Sequence, residues 1–96
     1  MRRLYIVTYD ISDPRRLRKV FKTMRGFGQH LQLSVFQCDL TPVARVQMEA
    51  ALTGLINHKE DQVLIIDLGP TEGRPIKNIH PLGRPMAVVE RGPVIV

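Results

Sequence analysis

The sequence predicts an α+β plait of βαββαβ order, with two helices lying on one face of an antiparallel sheet. Three observations carry that prediction. LYIVTYD at residues 4–10 and VLIIDLG at residues 63–69 are apolar, β-prone runs of strand length. Two stretches of helical period each follow a cap residue and a proline, Asp13-Pro14 and Thr41-Pro42. HLQLSVFQCDL, residues 30–40, stands between the helices and reads as extended. A chain of 96 residues with 44% apolar side chains has room for one modest core. A single domain over residues 1–96 is expected, with the core plait in 1–69 and a turn-rich tail in 70–96.

In the first strand Leu4, Ile6 and Thr8 alternate with Tyr5, Val7 and Tyr9, so both faces of the sheet need cover. Asp13 is a good N-cap and Pro14 suits the first helical position, which leaves Asp10 at the strand end free of the capping role. Leu17, Val20, Phe21, Met24 and Phe27 then form an apolar stripe of helical period, ended by Gly26 and Gly28. Within residues 30–40, Leu31, Leu33 and Val35 alternate with Gln32 and Ser34, and the phase slips at Phe36. That slip predicts a bulge or bend at Phe36 that splits the stretch into two short strands. Ala44, Met48, Ala51, Leu52 and Leu55 give the second helix its inward face, and the polar residues 57–62 end it. The strand at 63–69 is apolar without a clean polar face.

From residue 69 onward lie five of the seven prolines and four of the seven glycines. Short extended pieces at 76–79, 86–89 and 94–96 are expected there, confined to sheet edges by the prolines at 85 and 93. The order as a whole is that of the ferredoxin-like plait. Two helices cannot cover both faces of such a sheet. Tyr5, Val7 and one face of residues 63–68 are expected to remain open to a second copy, giving a two-fold homodimer. The extended tail is expected to reach the partner's sheet edge.

A formal charge of +5 and a pI near 10.0 suit a polyanionic partner. The placement of the charge says more. Residues 13–28 hold six of the fourteen basic side chains and one acid, while the rest of the chain is balanced. Arg15, Arg16, Arg18, Lys19, Lys22 and Arg25 repel one another unless a polyanion is near, which makes Arg15, Arg16, Arg18, Lys19 and Lys22 the candidate nucleic-acid-binding residues. Cys38 is the single cysteine, so no intrachain disulfide forms and a cytoplasmic location is expected. No apolar stretch approaches the roughly 20 residues that span a bilayer. His30, His58 and His80 lack metal-ligand spacing and read as surface or turn residues. Glycine-rich phosphate loops are absent, and VLIIDL lacks the stacking aromatics of an RNA-recognition domain.

Asp10, a carboxylate emerging at a strand-to-helix corner, is the candidate catalytic residue and metal ligand. Metal-assisted phosphodiester chemistry needs carboxylates that hold a hard divalent ion, with waters retained. Nothing in the sequence brings Asp39 or Asp67 to Asp10. In a dimer with Asp10 near the two-fold axis, two copies of Asp10 would share one ion.

YDISD at the end of the first strand, the basic helix, Gly28 followed by LQLSVF with Gln32, Ser34 and Phe36, VLIIDLG and the IxxLG run at residues 79–83 together resemble the CRISPR-associated Cas two family. The resemblance covers nearly the whole chain in order. It implies a homodimeric ferredoxin-like protein acting in spacer acquisition beside the integrase Cas one. It also implies a magnesium-dependent endonuclease that hydrolyses phosphodiester bonds of RNA or DNA, with Asp10 as metal ligand. Tyr9, Arg16 and Arg18 match the neighbourhood of that aspartate loosely. A non-catalytic DNA-binding scaffold in the integration complex is the alternative, since the basic helix serves both functions and only cleavage requires Asp10.

Overall fold

The computed structural model describes residues 1–71 and 79–85. Its elements run β1 (Arg3–Asp10), α1 (Pro14–Arg25), β2 (Gln29–Gln32), β3 (Val35–Leu40), α2 (Pro42–Leu55) and β4 (Gln62–Pro70). Both helices begin where the sequence marks them. The Asp13 carboxylate accepts the Arg16 backbone N–H at 2.9 Å and the Thr41 hydroxyl accepts that of Ala44 at 3.1 Å. Each such cap is worth about 1 kcal/mol. The sheet order is β2-β3-β1-β4 with every pairing antiparallel, as in a ferredoxin-like plait.

Alternation along β1 sends Tyr5, Val7 and Tyr9 beneath the helices, where they join Val20, Met24, Phe36, Cys38, Met48 and Leu52 in one core. Fully burying a side chain such as Phe36 or Met48 contributes about 1.5–3 kcal/mol. Gly28 lets the end of α1 close on β3, because a Cβ there would run into the Gln37 carbonyl and sit 2.5 Å from Cys38 Sγ. Tyr5 and Val7 are therefore on the covered face, contrary to the expectation that they lie open. The opposite face carries Leu4, Ile6 and Thr8 of β1, with Leu4 itself buried, and Leu64, Ile66 and Leu68 of β4, which stay open at 49%, 45% and 45% exposure. Both sets of β1 residues are apolar enough for the core, so only the helix packing decides between them.

The break in the third stretch also falls earlier than the sequence implies. Leu33 and Ser34 form the turn of a β2–β3 hairpin, with Leu33 exposed at its tip. Phe36 returns to phase after that turn and pairs with Val7 in the core. A register irregularity lies between His30 and Gln32. His30 is partly buried, packing against Phe21 and Phe36 at centroid distances of 4.8 and 5.0 Å, with its Nε2 3.0 Å from the Leu33 carbonyl in the turn. From the tail, Ile79, Pro81 and Pro85 come over the open face and enclose, with Ile6, Leu31 and Val35, a cavity of about 740 Å³. The extended pieces expected at 76–79, 86–89 and 94–96 lie outside the described residues, apart from Ile79, which is in no strand.

Candidate functional site

The C-terminal end of β1 is shaped by two buried residues on either side of Asp10. Tyr9 and Ile11 both enter the core, at 6% and 8% exposure, and the strand's alternation turns Asp10 outward between them. Asp10 pairs with Gln62 at the start of β4. Its side chain is exposed, and it makes no hydrogen bond or ion pair among the described residues. The N-cap of α1 is taken by Asp13, as the sequence indicates.

Beyond Asp10 begins α1, where Arg25 lies over the Phe21 ring at 5.7 Å and the other five cations divide into two groups. Arg15, Arg18, Lys19 and Lys22 are exposed and form no ion pair among the described residues. Their spacing of i, i+3, i+4 and i+7 puts them in one stripe along the helix. Arg16 stands off that stripe and is half-buried. Its Nε donates to Asp61 Oδ2 at 2.8 Å and its Nη2 donates to Asp61 Oδ1 at 3.1 Å and Glu60 Oε1 at 3.2 Å. The two carboxylates hold the guanidinium charged, raising its pKa, with the Asp61 hydrogen bond as the largest cause.

Asp61 went unnoticed in the sequence, and it is the most heavily engaged side chain at this end of the molecule. Besides Arg16, it accepts the backbone N–H groups of Ser12 at 3.0 Å and Asn57 at 2.7 Å. The Arg16 hydrogen bond, followed by those from Asn57 and Ser12, holds its pKa far below the ordinary carboxylate range against the opposing effect of burial. The one signal in the sequence was an acid directly ahead of the strand that starts beside Asp10.

Tyr9 is a core aromatic, stacked on Phe36 at 6.2 Å, with its N–H donated to the Ser34 carbonyl at 3.1 Å. Its buried hydroxyl has no partner among the described residues, and burial pushes its pKa up to about 12. Asp39 and Asp67 lie at the far end of the sheet, opposite Leu4 and Tyr5, so the structure does not bring them to Asp10. Among the described residues no group of three or more His, Cys, Asp or Glu side chains is placed to hold a metal ion. Among the described residues the site is thus one carboxylate without a partner, a stripe of cations without ion pairs, and beside them Arg16 paired to the buried Asp61 and the exposed Glu60.

Residues 1–74 match the family model described as CRISPR associated protein Cas2. The chain belongs to the Cas2 family. It is 51% identical over 96 residues to the CRISPR-associated endoribonuclease Cas2 of Geobacter sulfurreducens, with all of both chains covered. It is 47% identical over 92 residues to CRISPR-associated endoribonuclease Cas2 1 of Rhodospirillum rubrum, covering 96% of this chain and 89% of that one. Among solved structures it is similar to Streptococcus pyogenes Cas2, with a TM-score of 0.72 and 34% identity over 83% of this chain and 99% of that one. The Cas2 family, the α+β plait and the antiparallel sheet agree with what YDISD and QLSVF imply.

Proposed function

We propose that this Cas2 family member is a metal-dependent endonuclease whose working residue is Asp10. The observation that carries the reading is the exposed Asp10 carboxylate, which has no partner among the described residues, at the end of the strand that leads into α1 and its four cations without an ion pair among those residues. An unpaired acid beside unpaired bases does nothing for folding, whereas a phosphodiester with a divalent ion engages both charges. RNA is the first substrate to test, since the relatives in Geobacter and Rhodospirillum are named endoribonucleases. Arg15, Arg18, Lys19 and Lys22 would neutralise backbone phosphates.

Magnesium fits the residues present. This ion is held by one or two carboxylates with several waters and substrate phosphates, rather than by an all-protein cage. Asp10 supplies one such ligand, and a second copy of the chain would supply another. Bound there, magnesium would lower the pKa of a water nucleophile and offset charge on the phosphate. Asp10 would hold the ion, and the cation stripe would align the strand across it.

The second copy is argued from the open face. Leu64, Ile66 and Leu68, with the half-buried Ile6 paired to Ile66, form an apolar surface on β1 and β4 that a homodimer would cover. The cation stripe is independent of Asp10 and equally supports a DNA-binding scaffold beside the integrase Cas one. A cytoplasmic setting accords with the free, buried thiol of Cys38 and with the absence, among the described residues, of a helix long and apolar enough to cross a membrane.

Labelled single-stranded RNA and duplex DNA, incubated with magnesium or with a chelator, separate these roles. The nuclease reading expects magnesium-dependent RNA cleavage that is lost in Asp10→Asn while binding persists. Binding of duplex DNA with no cleavage of either substrate would leave the scaffold alone.

A further inference from the structure

We infer that Arg16 and Asp61 act as one positioning unit that fixes Asp10 for its metal, and that Arg16 is not a phosphate contact. The inference rests on the metal-dependent reading above. Asp10 has no hydrogen bonds of its own side chain among the described residues, so its place is set by the backbone on either side. On one side it is held by the ladder to Gln62. On the other, Ser12 donates its N–H to Asp61, the residue immediately before Gln62, at 3.0 Å. A single carboxylate therefore ties the corner leaving β1 to the strand entering beside it.

That carboxylate has its acceptors filled. Ser12 N and Asn57 N, Arg16 Nε and Arg16 Nη2 converge on its two oxygens at 2.7–3.1 Å, and the Asp61 side chain has no exposed surface. Arg16 Nη2 also reaches Ser12 Oγ at 3.2 Å, so the guanidinium braces the same corner directly. For Arg16 to turn its fork to a phosphate, Asp61 would become an unpaired buried charge, which is strongly unfavourable. Arg15, Arg18, Lys19 and Lys22 face no such competition. Two residues adjacent in sequence, Arg15 and Arg16, thus serve different ends.

The test uses the full chain and three readouts: Mn²⁺ binding followed by electron paramagnetic resonance without nucleic acid, amide exchange at Ser12, and the salt dependence of RNA binding. Asp61→Asn should weaken Mn²⁺ binding by about tenfold, the low end of what losing an outer-shell partner costs. It should also speed exchange at Ser12 and leave the salt slope unchanged. The double variant Arg16→Gln/Asp61→Asn leaves no buried charge unpaired, so it provides the same readouts if the single variant fails to fold. Its salt slope should equal the parent's, whereas a phosphate contact at Arg16 would lower it by about 0.7 on a single strand. A lowered slope, or parent-like Mn²⁺ affinity and Ser12 exchange in these variants, overturns the inference. A parent that binds Mn²⁺ and cuts nothing defeats the nuclease reading while the positioning result stands. A parent that binds no Mn²⁺ defeats both.

Discussion

The two ends of β1 hold their acids in opposite states. At the Arg3 end, Asp67 pairs with Arg3 at 3.1 Å and accepts the Gly69 N–H at 2.8 Å. Asp39 accepts the Thr71 hydroxyl at 2.7 Å, and Glu49 accepts Arg45 Nε at 2.7 Å while that guanidinium lies over the Tyr5 ring. At the other end Asp61 gathers the available donors, and Asp10, close by in the fold, has none among the described residues. The difference teaches where this fold leaves charge uncompensated. It does so at the end where four cations also stand without an ion pair among the described residues, and satisfied charge at the opposite end serves structure.

The largest contrast should come from the same substitution at the two ends. Asp10→Asn should lower magnesium-dependent RNA cleavage by about 10³-fold, corresponding to the several kcal/mol that metal assistance supplies. Asp67→Asn should leave the rate unchanged, and timed cleavage of labelled RNA distinguishes them. Next in size is the open face. Ile66→Asp should weaken a homodimer by about 100-fold or more, because it places an unpaired carboxylate in an apolar contact. Sedimentation at micromolar concentration reads this, and a parent running as a 10.9 kDa monomer would rule out the second copy.

A smaller effect is expected along α1. Arg15→Ala with Lys19→Ala should lower the log-log salt slope of RNA binding by about 1.4, near 0.7 for each phosphate that is no longer neutralised. Alanine at Arg2, on the opposite end, should leave that slope as it is.

The smallest effects are in stability against pH, and their signs follow from the shifted groups. Burial raises the Cys38 thiol and the Tyr9 phenol each to about 12. The unfolded chain releases these protons first, so their contribution to stability is present below the ordinary values of about 8.5 and 10 and fades as pH climbs toward 12. Asp61 has the opposite sign. Its lowered pKa gives stability that is present above the ordinary carboxylate value and lost as pH falls below it. Thermal unfolding against pH should decline on both sides, and Asp61→Asn should flatten the acid side alone.

How far this was legible in the sequence depends on how local each cause is. The helix starts could be read because Asp13-Pro14 and Thr41-Pro42 act within one turn. Asp10 could be singled out because the residue that would otherwise explain it, the cap, was already in place three positions on. The face of β1 that meets the helices could not be read, since Leu4, Ile6 and Thr8 pattern as well for a core as Tyr5, Val7 and Tyr9. Helical spacing did separate Arg15, Arg18, Lys19 and Lys22 from Arg16, although treating the five as one basic face hid it. The partner of Arg16 is 45 residues away in the chain, and only the pairing of β4 beside β1 brings Asp61 to that corner.

The place where a divalent ion settles decides most directly whether Asp10 is the metal ligand. Mn²⁺ added to the isotopically labelled chain without nucleic acid broadens amide resonances near its site. Broadening centred on Asp10 to Ser12 is expected, absent in Asp10→Asn and weak around Asp39 and Asp67. Broadening centred at the Asp39 and Asp67 end, or unchanged by Asp10→Asn, would contradict that role.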